Sequence, residues 1–172
     1  MKKVFSVLGV VAFIFVGCNS QTTDASKTQS ATAENASPKV ETVKPTMLTK
    51  QKFLTDIMDY ENNPNEWNYK GQLPGIIDFY ADWCRPCRIT SPILEELAQE
   101  YAGQITIYKI DVQAEQELAS VFGIQSIPTF LFMPMNDKPV MSSGIAQTPE
   151  ATKEMFRQQI DEILLGKTSQ EN

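Results

Sequence analysis

The sequence predicts an α/β domain with a central mixed sheet of about five strands, flanked by about four helices. Two patterns support this fold class. Short apolar runs alternate with helical stretches, which is typical of parallel strands joined by right-handed crossovers. Near the C-terminus, the runs from Thr129 to Met133 and from Pro139 to Ser142 flank a short turn and indicate an antiparallel hairpin. The chain has 172 residues, 42% of them hydrophobic, which is enough for one ordinary domain with a packed core.

The first half of this domain is expected to begin with a strand near Met47 and a helix capped by Thr49. The stretch from Asn62 to Pro74 is rich in Asn, Pro and Gly, which predicts a loop. Gly75 to Ala81 is apolar except for Asp78 and predicts a buried strand. The apolar residues of the first helix, which recur at helical spacing, are Phe53, Leu54, Ile57 and Met58.

The second half continues the alternation of helix and strand. A helix is expected from about Arg85, with a kink at Pro92. Ile105 to Ile110 predicts the next strand, and the short helix after it ends at Gly123. The last helix is expected over Thr148 to Gly166, with the threonine as its cap. The apolar residues that this helix should bury are Met155, Phe156, Ile160, Ile163 and Leu164.

Charge and composition exclude several classes of function. The formal net charge is −6 and no basic stretch follows the first few residues, so nucleic acid is not an expected partner. The chain contains no histidine. This excludes Ser-His-Asp and Cys-His catalysis, together with every zinc site that needs a histidine ligand.

Residues 1–18 have the pattern of an export signal. Lysines follow the first methionine, and Val4 to Val16 form an apolar stretch too short to cross a bilayer comfortably. Gly17 and Cys18 then resemble the bacterial lipobox, in which the cysteine is lipidated and becomes the mature N-terminus. We therefore expect an exported protein of the cell envelope, anchored through a lipid on Cys18 and facing the periplasm or the outer surface. The alternative is a simple secretory signal that is cleaved nearby.

Residues 19–46 are expected to form a flexible tether. Small and polar residues dominate this stretch, and it contains no aromatic residue. Such a segment cannot bury enough apolar surface to offset the entropy lost on ordering. The expected organisation is a signal over 1–18, a tether over 19–46, a folded domain over 47–166 and a polar tail over 167–172.

Cys84 and Cys87 lie where the buried strand gives way to a helix. Zinc takes four ligands and Cys18 is the one cysteine left over, so no metal site is expected here. A purely structural disulfide is the second interpretation, although so short a loop restricts the unfolded chain very little. A redox pair has a positive mechanism, because free N–H groups at the helix start stabilise the thiolate of Cys84. Cys87 is then close enough to attack a mixed disulfide and release the product.

Three stretches, in matching order and spacing, resemble the thioredoxin family. Asp78 to Cys87 (DFYADWCRPC) is similar to its active-site segment. Ser91 to Leu94 (SPIL) is similar to its kinked second helix, and Gly123 to Thr129 (GIQSIPT) to its cis-proline loop. The resemblance covers about residues 47–166 and implies the thioredoxin fold. The short stretch from Cys84 to Pro128 leaves no room for the extra central segment of cytochrome-maturation members.

The resemblance also implies roles for the residues at the cysteine pair. Cys84 would be the nucleophile and Cys87 the resolving cysteine, while Asp78 would exchange a proton with Cys87. Burial in an apolar strand should raise the pKa of Asp78, which suits such an exchange. Lys109 occupies the position of the lysine that neighbours this acid in the family. The alternative is that Asp78 pairs with Lys109 and merely stabilises the strand ends.

The resemblance implies a substrate-binding surface formed by Trp83, Ile127 and Pro128. In the family the proline is cis and faces the disulfide. It leaves the backbone groups of Ile127 free to pair with an extended substrate.

Arg85 and Pro86 lie between the cysteines and are expected to tune the redox potential. Common thioredoxins carry Gly where this chain has Arg85. Because a cation stabilises the thiolate, it should make the pair more oxidising, by only about 10–25 mV. The alternative is a solvated arginine without redox effect. A second departure is the longer loop from Asn62 to Pro74, whose Trp67 and Tyr69 either contact a partner or, as is commoner, pack onto the domain.

The expected function is reduction of protein disulfides outside the cytoplasm, with the Cys84–Cys87 disulfide as the redox group and no bound cofactor. Asp78 and the short central region favour a reductase. The alternatives are an oxidase or isomerase of the same fold, or a non-catalytic module that binds peptides. The chain shows no nucleotide or flavin motif and no second dithiol, so the electrons are expected from a separate donor. The resemblance to related envelope systems implies that this donor is a membrane thiol relay. We expect a monomer.

Overall fold

The computed structural model of the protein describes residues 43–167. The predicted export signal with Cys18 lies outside this range, as does the tether up to residue 42 and the tail from residue 168. Within the range, strands and helices follow one another in the predicted order. The strands are β1 (Thr46–Met47), β2 (Gly75–Tyr80), β3 (Thr106–Asp111), β4 (Thr129–Met133) and β5 (Val140–Ser143). The helices are α1 (Lys50–Asp56), α2 (Arg85–Glu100), α3 (Gln116–Val121) and α4 (Pro149–Gln159), which continues into a π-helical segment over Ile160–Leu164.

The five strands form one mixed sheet in the order β1-β3-β2-β4-β5. Strand β3 is parallel to both β1 and β2, whereas β4 is antiparallel to β2 and to β5. This confirms the predicted thioredoxin fold with its antiparallel hairpin. Because β2 lies in the centre, both of its faces are covered, and the C-terminal end of β2 leads directly to Cys84.

Side-chain caps begin the first and last helices, as predicted. Thr49 Oγ1 accepts a hydrogen bond from Lys52 N–H at 3.3 Å, and Thr148 Oγ1 accepts one from Ala151 N–H at 3.1 Å. Each cap satisfies one of the N–H groups that have no partner within the first helical turn. Pro149 follows the second cap, where its missing N–H removes no helical hydrogen bond.

Two apolar clusters cover the two faces of the sheet. The first contains Ile76 of β2 and Phe130 of β4 with residues of α2 and α4, among them Leu94 and Phe156. The second contains Ile77 and Phe79 of β2 with residues of α1 and α3, among them Phe53 and Leu118. Since side chains alternate along a strand, Asp78 points to the same face as Ile76, under helices α2 and α4.

The loop after α1 packs onto the domain through its aromatic residues. Trp67 and Tyr69 are stacked with ring centroids 6.3 Å apart, and both pack against the second cluster. The Tyr69 hydroxyl donates a hydrogen bond to the carbonyl of Leu73 at 2.8 Å. Of the two predicted fates of these rings, packing onto the domain is the one observed.

Some predicted boundaries differ from the structure by a residue. Strand β1 begins at Thr46, at the end of the predicted tether, because Thr46 pairs with Tyr108 of β3. Strand β5 begins at Val140 rather than at Pro139, since proline has no N–H for a strand ladder. The other shifts are that β2 ends at Tyr80, β3 starts at Thr106 and runs to Asp111, and β5 ends at Ser143.

The last helix also differs from the predicted pattern. Phe156, Ile160 and Leu164 are buried as expected, but Met155 and Ile163 are only partly buried. Ile163 lies in the π-helical segment, where the regular helical spacing on which the prediction depended is lost, whereas Met155 lies before this segment, next to the buried Phe156. Over residues 43–167, no helix has the length and apolar character needed to cross a membrane.

Candidate active site around Cys84 and Cys87

Cys84 occupies the N-cap position of α2, immediately after the central strand β2 has ended. The backbone N–H of Cys87 donates a hydrogen bond to Cys84 Sγ at 3.2 Å. The two sulfurs form a disulfide, and the Cα atoms lie 5.3 Å apart. Pro86 lies in the first turn of α2, where a missing N–H is harmless because these N–H groups have no partner within the helix. The helix start therefore directs its free N–H groups and the positive end of its dipole toward Cys84.

The cysteines and their neighbours in the sequence differ in their exposure to solvent. Both cysteines are buried, whereas Trp83 is 64% exposed and Arg85 and Pro86 are exposed. Within residues 43–167 Arg85 forms no ion pair. At this exposed position the charge of Arg85 is screened by solvent.

A groove of about 630 Å³ opens beside Trp83 and Ile127. Its other wall comes from α3, including Gln116, Ala119 and Ser120. These α3 residues were not among the predicted site residues, because nothing local in the sequence indicates that α3 packs beside Trp83. Since the groove is lined by both apolar and amide side chains, it suits an extended peptide better than a charged small molecule.

The peptide bond between Ile127 and Pro128 is cis. The loop is secured on its β4 side, where Thr129 Oγ1 donates to the carbonyl of Ser126 at 2.8 Å. Gly144 N–H donates to the carbonyl of Pro128 at 3.0 Å. The backbone groups of Ile127, by contrast, take part in no hydrogen bond among the described residues. They are available to an incoming backbone, as the family resemblance implied.

Asp78 is completely buried, and neither carboxyl oxygen has a hydrogen-bond partner among the described residues. Burial raises the pKa of Asp78 from 3.8 to about 7, against the opposing influence of the Lys109 charge. The Asp78 side chain lies on the sheet face covered by α2, whose first buried residue is Cys87. A carboxyl group that titrates near neutral pH beneath the cysteine helix is suited to give and take a proton there.

Lys109 lies opposite Asp78 in the register of β2 and β3. Its ammonium nevertheless donates a hydrogen bond to Ser91 Oγ at 2.7 Å and lies 4.3 Å from the centre of the Tyr80 ring. The direct ion pair considered as an alternative role for Asp78 is not formed. The structure thus places Lys109 beside the acid, with its ammonium bound elsewhere.

Ser91 and Tyr80 were missed as site residues at the level of sequence. One signal could have indicated Ser91, because it lies four residues after Cys87 and hence on the same side of α2. No comparable local signal points to Tyr80, whose contact with Lys109 depends on the pairing of β2 with β3.

Comparison with known proteins agrees with this geometry. The family model Thioredoxin matches residues 44–161. The thioredoxin of Borreliella burgdorferi is 46% identical over 100 residues, which cover 58% of this chain and 85% of that protein. The chloroplastic M-type thioredoxin of Pisum sativum is 40% identical over 93 residues, covering 52% of this chain and 53% of that protein.

Among solved structures, the crystal structure of chloroplastic thioredoxin z resembles this chain with a TM-score of 0.52 and 24% identity. The match covers 67% of this chain and 94% of that one, and it shows that the fold is shared. Together with the family match, the Cys84–Cys87 disulfide identifies a dithiol redox centre of the thiol–disulfide oxidoreductase type. The chain belongs to the thioredoxin family.

Proposed function

We propose that this protein reduces disulfide bonds of other proteins outside the cytoplasm. The observation that carries the proposal is the position of Cys84 as the cap of α2, with the buried and unpaired Asp78 on the face beneath the same helix. A capped sulfur favours the thiolate, and an acid with a pKa of about 7 suits the proton transfer that must follow.

The first step is the attack of the reduced Cys84 thiolate on one sulfur of the substrate disulfide. The bond between Cys84 Sγ and this sulfur forms, the substrate S–S bond breaks, and the other substrate sulfur leaves as a thiolate that takes a proton. Cys84 is the attacking cysteine because it stands at the helix cap, next to the exposed Trp83 and the groove. Cys87 lies within the first turn of the helix and is also buried.

The second step resolves the mixed disulfide. Asp78 accepts the proton of the Cys87 thiol, and the Cys87 thiolate attacks Cys84 Sγ. The Cys84–Cys87 bond forms, and the bond to the substrate breaks with the electron pair on the substrate sulfur, which takes up a proton while Asp78 releases the one that it accepted. The substrate has then gained two electrons and two protons in total, and the dithiol has been oxidised to the disulfide. The nearby charge of Lys109 opposes the effect of burial and so limits how far the pKa of Asp78 rises.

Substrate recognition depends on the exposed Trp83 and on the cis-proline loop. The free backbone groups of Ile127 pair with an extended segment of the substrate, and Pro128 holds this segment against the sulfurs. Such backbone pairing requires a locally unfolded or flexible stretch around the substrate disulfide but little sequence specificity. Arg85 and Pro86 tune the potential of the pair, and because Arg85 is exposed its contribution is small.

We place the protein in the cell envelope through a lipid on Cys18, where the thiol relay of a membrane protein returns it to the dithiol form. The redox group is the cysteine pair alone, without a bound cofactor or metal, and the protein acts as a monomer. The pattern of residues 1–18 supports the location.

Trapping of mixed disulfides tests this function. The Cys87→Ser variant should retain attack but lose resolution, so substrates should accumulate as covalent adducts of Cys84 that reductant releases. The matched control is Cys84→Ser, which keeps a buried thiol at Cys87 and should trap nothing and reduce no insulin. Reduction of insulin by Cys84→Ser at the wild-type rate would refute the assignment. If function in the cell survives replacement of both cysteines, the protein is a peptide-binding module instead.

A further inference from the structure

Strand register alone would bring Lys109 and Asp78 together. They lie directly opposite each other on β3 and β2, which run parallel about 4.8 Å apart as neighbouring strands do. Both side chains point to the face covered by α2, because Lys109 shares its face with Ile107 of the first apolar cluster. The flexible lysine stem can span the short distance to the carboxylate, and a buried charge without a partner is unfavourable. An ion pair would therefore be the default arrangement.

The ammonium is instead bound on its other side. It donates to Ser91 Oγ at 2.7 Å, a short distance for a charge-assisted hydrogen bond, and it lies 4.3 Å from the centre of the Tyr80 ring. Ser91 belongs to α2 and Tyr80 to β2, so the two contacts come from separate elements. Both carboxyl oxygens of Asp78 remain without a partner.

We propose that Ser91 is a positioning residue for the proton-transfer step: its hydroxyl holds the Lys109 ammonium away from Asp78, so that the carboxyl group faces the cysteine helix without an ion-pair partner. The proposal rests on the proposed role of Asp78 in resolving the mixed disulfide. Ser91 itself touches neither substrate nor sulfur among the contacts described and acts only through Lys109.

The other groups that face Asp78 bring no positive charge to it, so the effect of charge on its pKa depends on Lys109. From β4 the register partner is Phe130, which carries no charge. Among the buried residues of α2 the titratable one is Cys87, which is held in the disulfide in this state. On its own strand Tyr80 follows two positions later; burial raises the pKa of Tyr80, and the nearby acids add to the effect. The Lys109 charge is the one electrostatic influence that opposes the burial of Asp78.

Cys87 needs a base that accepts its thiol proton, and the position of the Lys109 ammonium affects how strong a base Asp78 is. An ion pair with Lys109 would stabilise the charged carboxylate and lower its pKa, so that it would be a weaker base for the thiol proton. With the ammonium held by Ser91, Asp78 keeps a pKa of about 7 and matches a proton exchange at neutral pH.

The test follows the carboxyl carbon of Asp78 by NMR as a function of pH, in the oxidised protein, where Cys84 and Cys87 do not titrate. In Ser91→Ala the freed ammonium should pair with Asp78 and lower its titration midpoint by about one pH unit or more. Ser91→Thr keeps a hydroxyl at this position and should restore the wild-type midpoint. An unchanged midpoint in Ser91→Ala would overturn the proposal.

A double-mutant cycle tests whether Ser91 acts through Lys109. Lys109→Met removes the opposing charge, so the Asp78 midpoint should lie at or above that of the wild type. In this background Ser91→Ala should have no further effect, and a further downward shift would contradict the proposal. Because the NMR titration needs no turnover, it distinguishes a failure of the Ser91 proposal from a failure of disulfide reduction, which the Cys84 trapping experiment tests. In an active protein, the pH profile of mixed-disulfide resolution should move down with the midpoint.

Discussion

Asp78 and Lys109 are register partners on neighbouring strands, yet the carboxyl oxygens of Asp78 are unpaired and the Lys109 ammonium binds Ser91. Proteins avoid an uncompensated buried carboxylate because its desolvation is unfavourable. Here the domain retains one beneath its redox helix, which means that stability is lost at the pH where the acid ionises. Stability and catalysis should therefore respond in opposite directions to removal of this acid.

The first prediction is a pH-dependent gain of stability in Asp78→Asn. The pKa of Asp78 is raised from 3.8 to about 7 on folding, so the folded state binds the proton more tightly. The wild type should lose stability as the pH rises through this window, by about 1.4 kcal/mol for each pH unit at most. Urea unfolding at pH 8 should show Asp78→Asn as the more stable protein, and the difference should vanish near pH 4. A difference that is independent of pH would contradict the raised pKa.

The same acid should control the pH dependence of resolution. Asp78 can accept the Cys87 proton only when ionised, so the rate at which the Cys84 mixed disulfide resolves should rise with pH through about 7. In Asp78→Asn this rise should be absent and the rate at pH 7 should fall by a factor on the order of 10². Stopped-flow measurement of product release checks both points. The initial attack by Cys84 serves as the internal control and should keep most of its rate.

Arg85 should shift the redox potential only slightly. Replacing it with Gln removes the charge that favours the reduced thiolate, so the pair should become more reducing by about 10–25 mV. Because Arg85 is exposed, we expect a shift toward the lower end of this range, and added salt should make the shift smaller. Equilibration with glutathione measures the potential, and Arg85→Lys is the charge-preserving control. A shift several times larger, or of opposite sign, would show that Arg85 does more than act as a screened charge.

Phe156 should be among the most sensitive core positions. It is fully buried, and its ring meets that of Phe130 edge-on, with the centroids 4.8 Å apart. Phe156→Ala should reduce the free energy of unfolding by about 3–5 kcal/mol, since it removes a large buried side chain and leaves a cavity. Phe156→Leu keeps most of the volume and should cost clearly less. Urea unfolding with an unchanged m-value would attribute the loss to the folded state.

The proposed anchor predicts a change of location in Cys18→Ser. The wild type should sediment with membranes and partition into detergent, whereas the variant should lose its lipid and behave as a soluble or uncleaved precursor. Both forms should keep the same redox potential, because the folded domain is unchanged. Mass spectrometry should find the lipid on the wild type and not on the variant, and a wild type without the mass of a lipid would exclude lipidation of Cys18.

The order of strands and helices could be predicted from the chain because its signals are local. A cap such as Thr49 or Thr148 bonds an N–H group three residues away, and apolar spacing reports the face of a single helix. The cysteine pair and its place at a helix start were equally readable, since a short motif at the end of an apolar run contains both. Asp78 was identifiable as unusual because it is the charged residue in that run.

Packing between segments that are far apart in the chain determined the strand order, the groove and the partner of Lys109. The strand order β1-β3-β2-β4-β5 and the α3 wall of the groove join segments far apart in the sequence, which local patterns do not encode. The partner of Lys109 is the clearest case: strand register favours Asp78, but the packing of α2 over the sheet brings Ser91 within 2.7 Å. Because a side chain takes the partner that the assembled fold brings nearest, the presence of an acid and a lysine could be read from the sequence, whereas their separation depends on how helix and sheet pack.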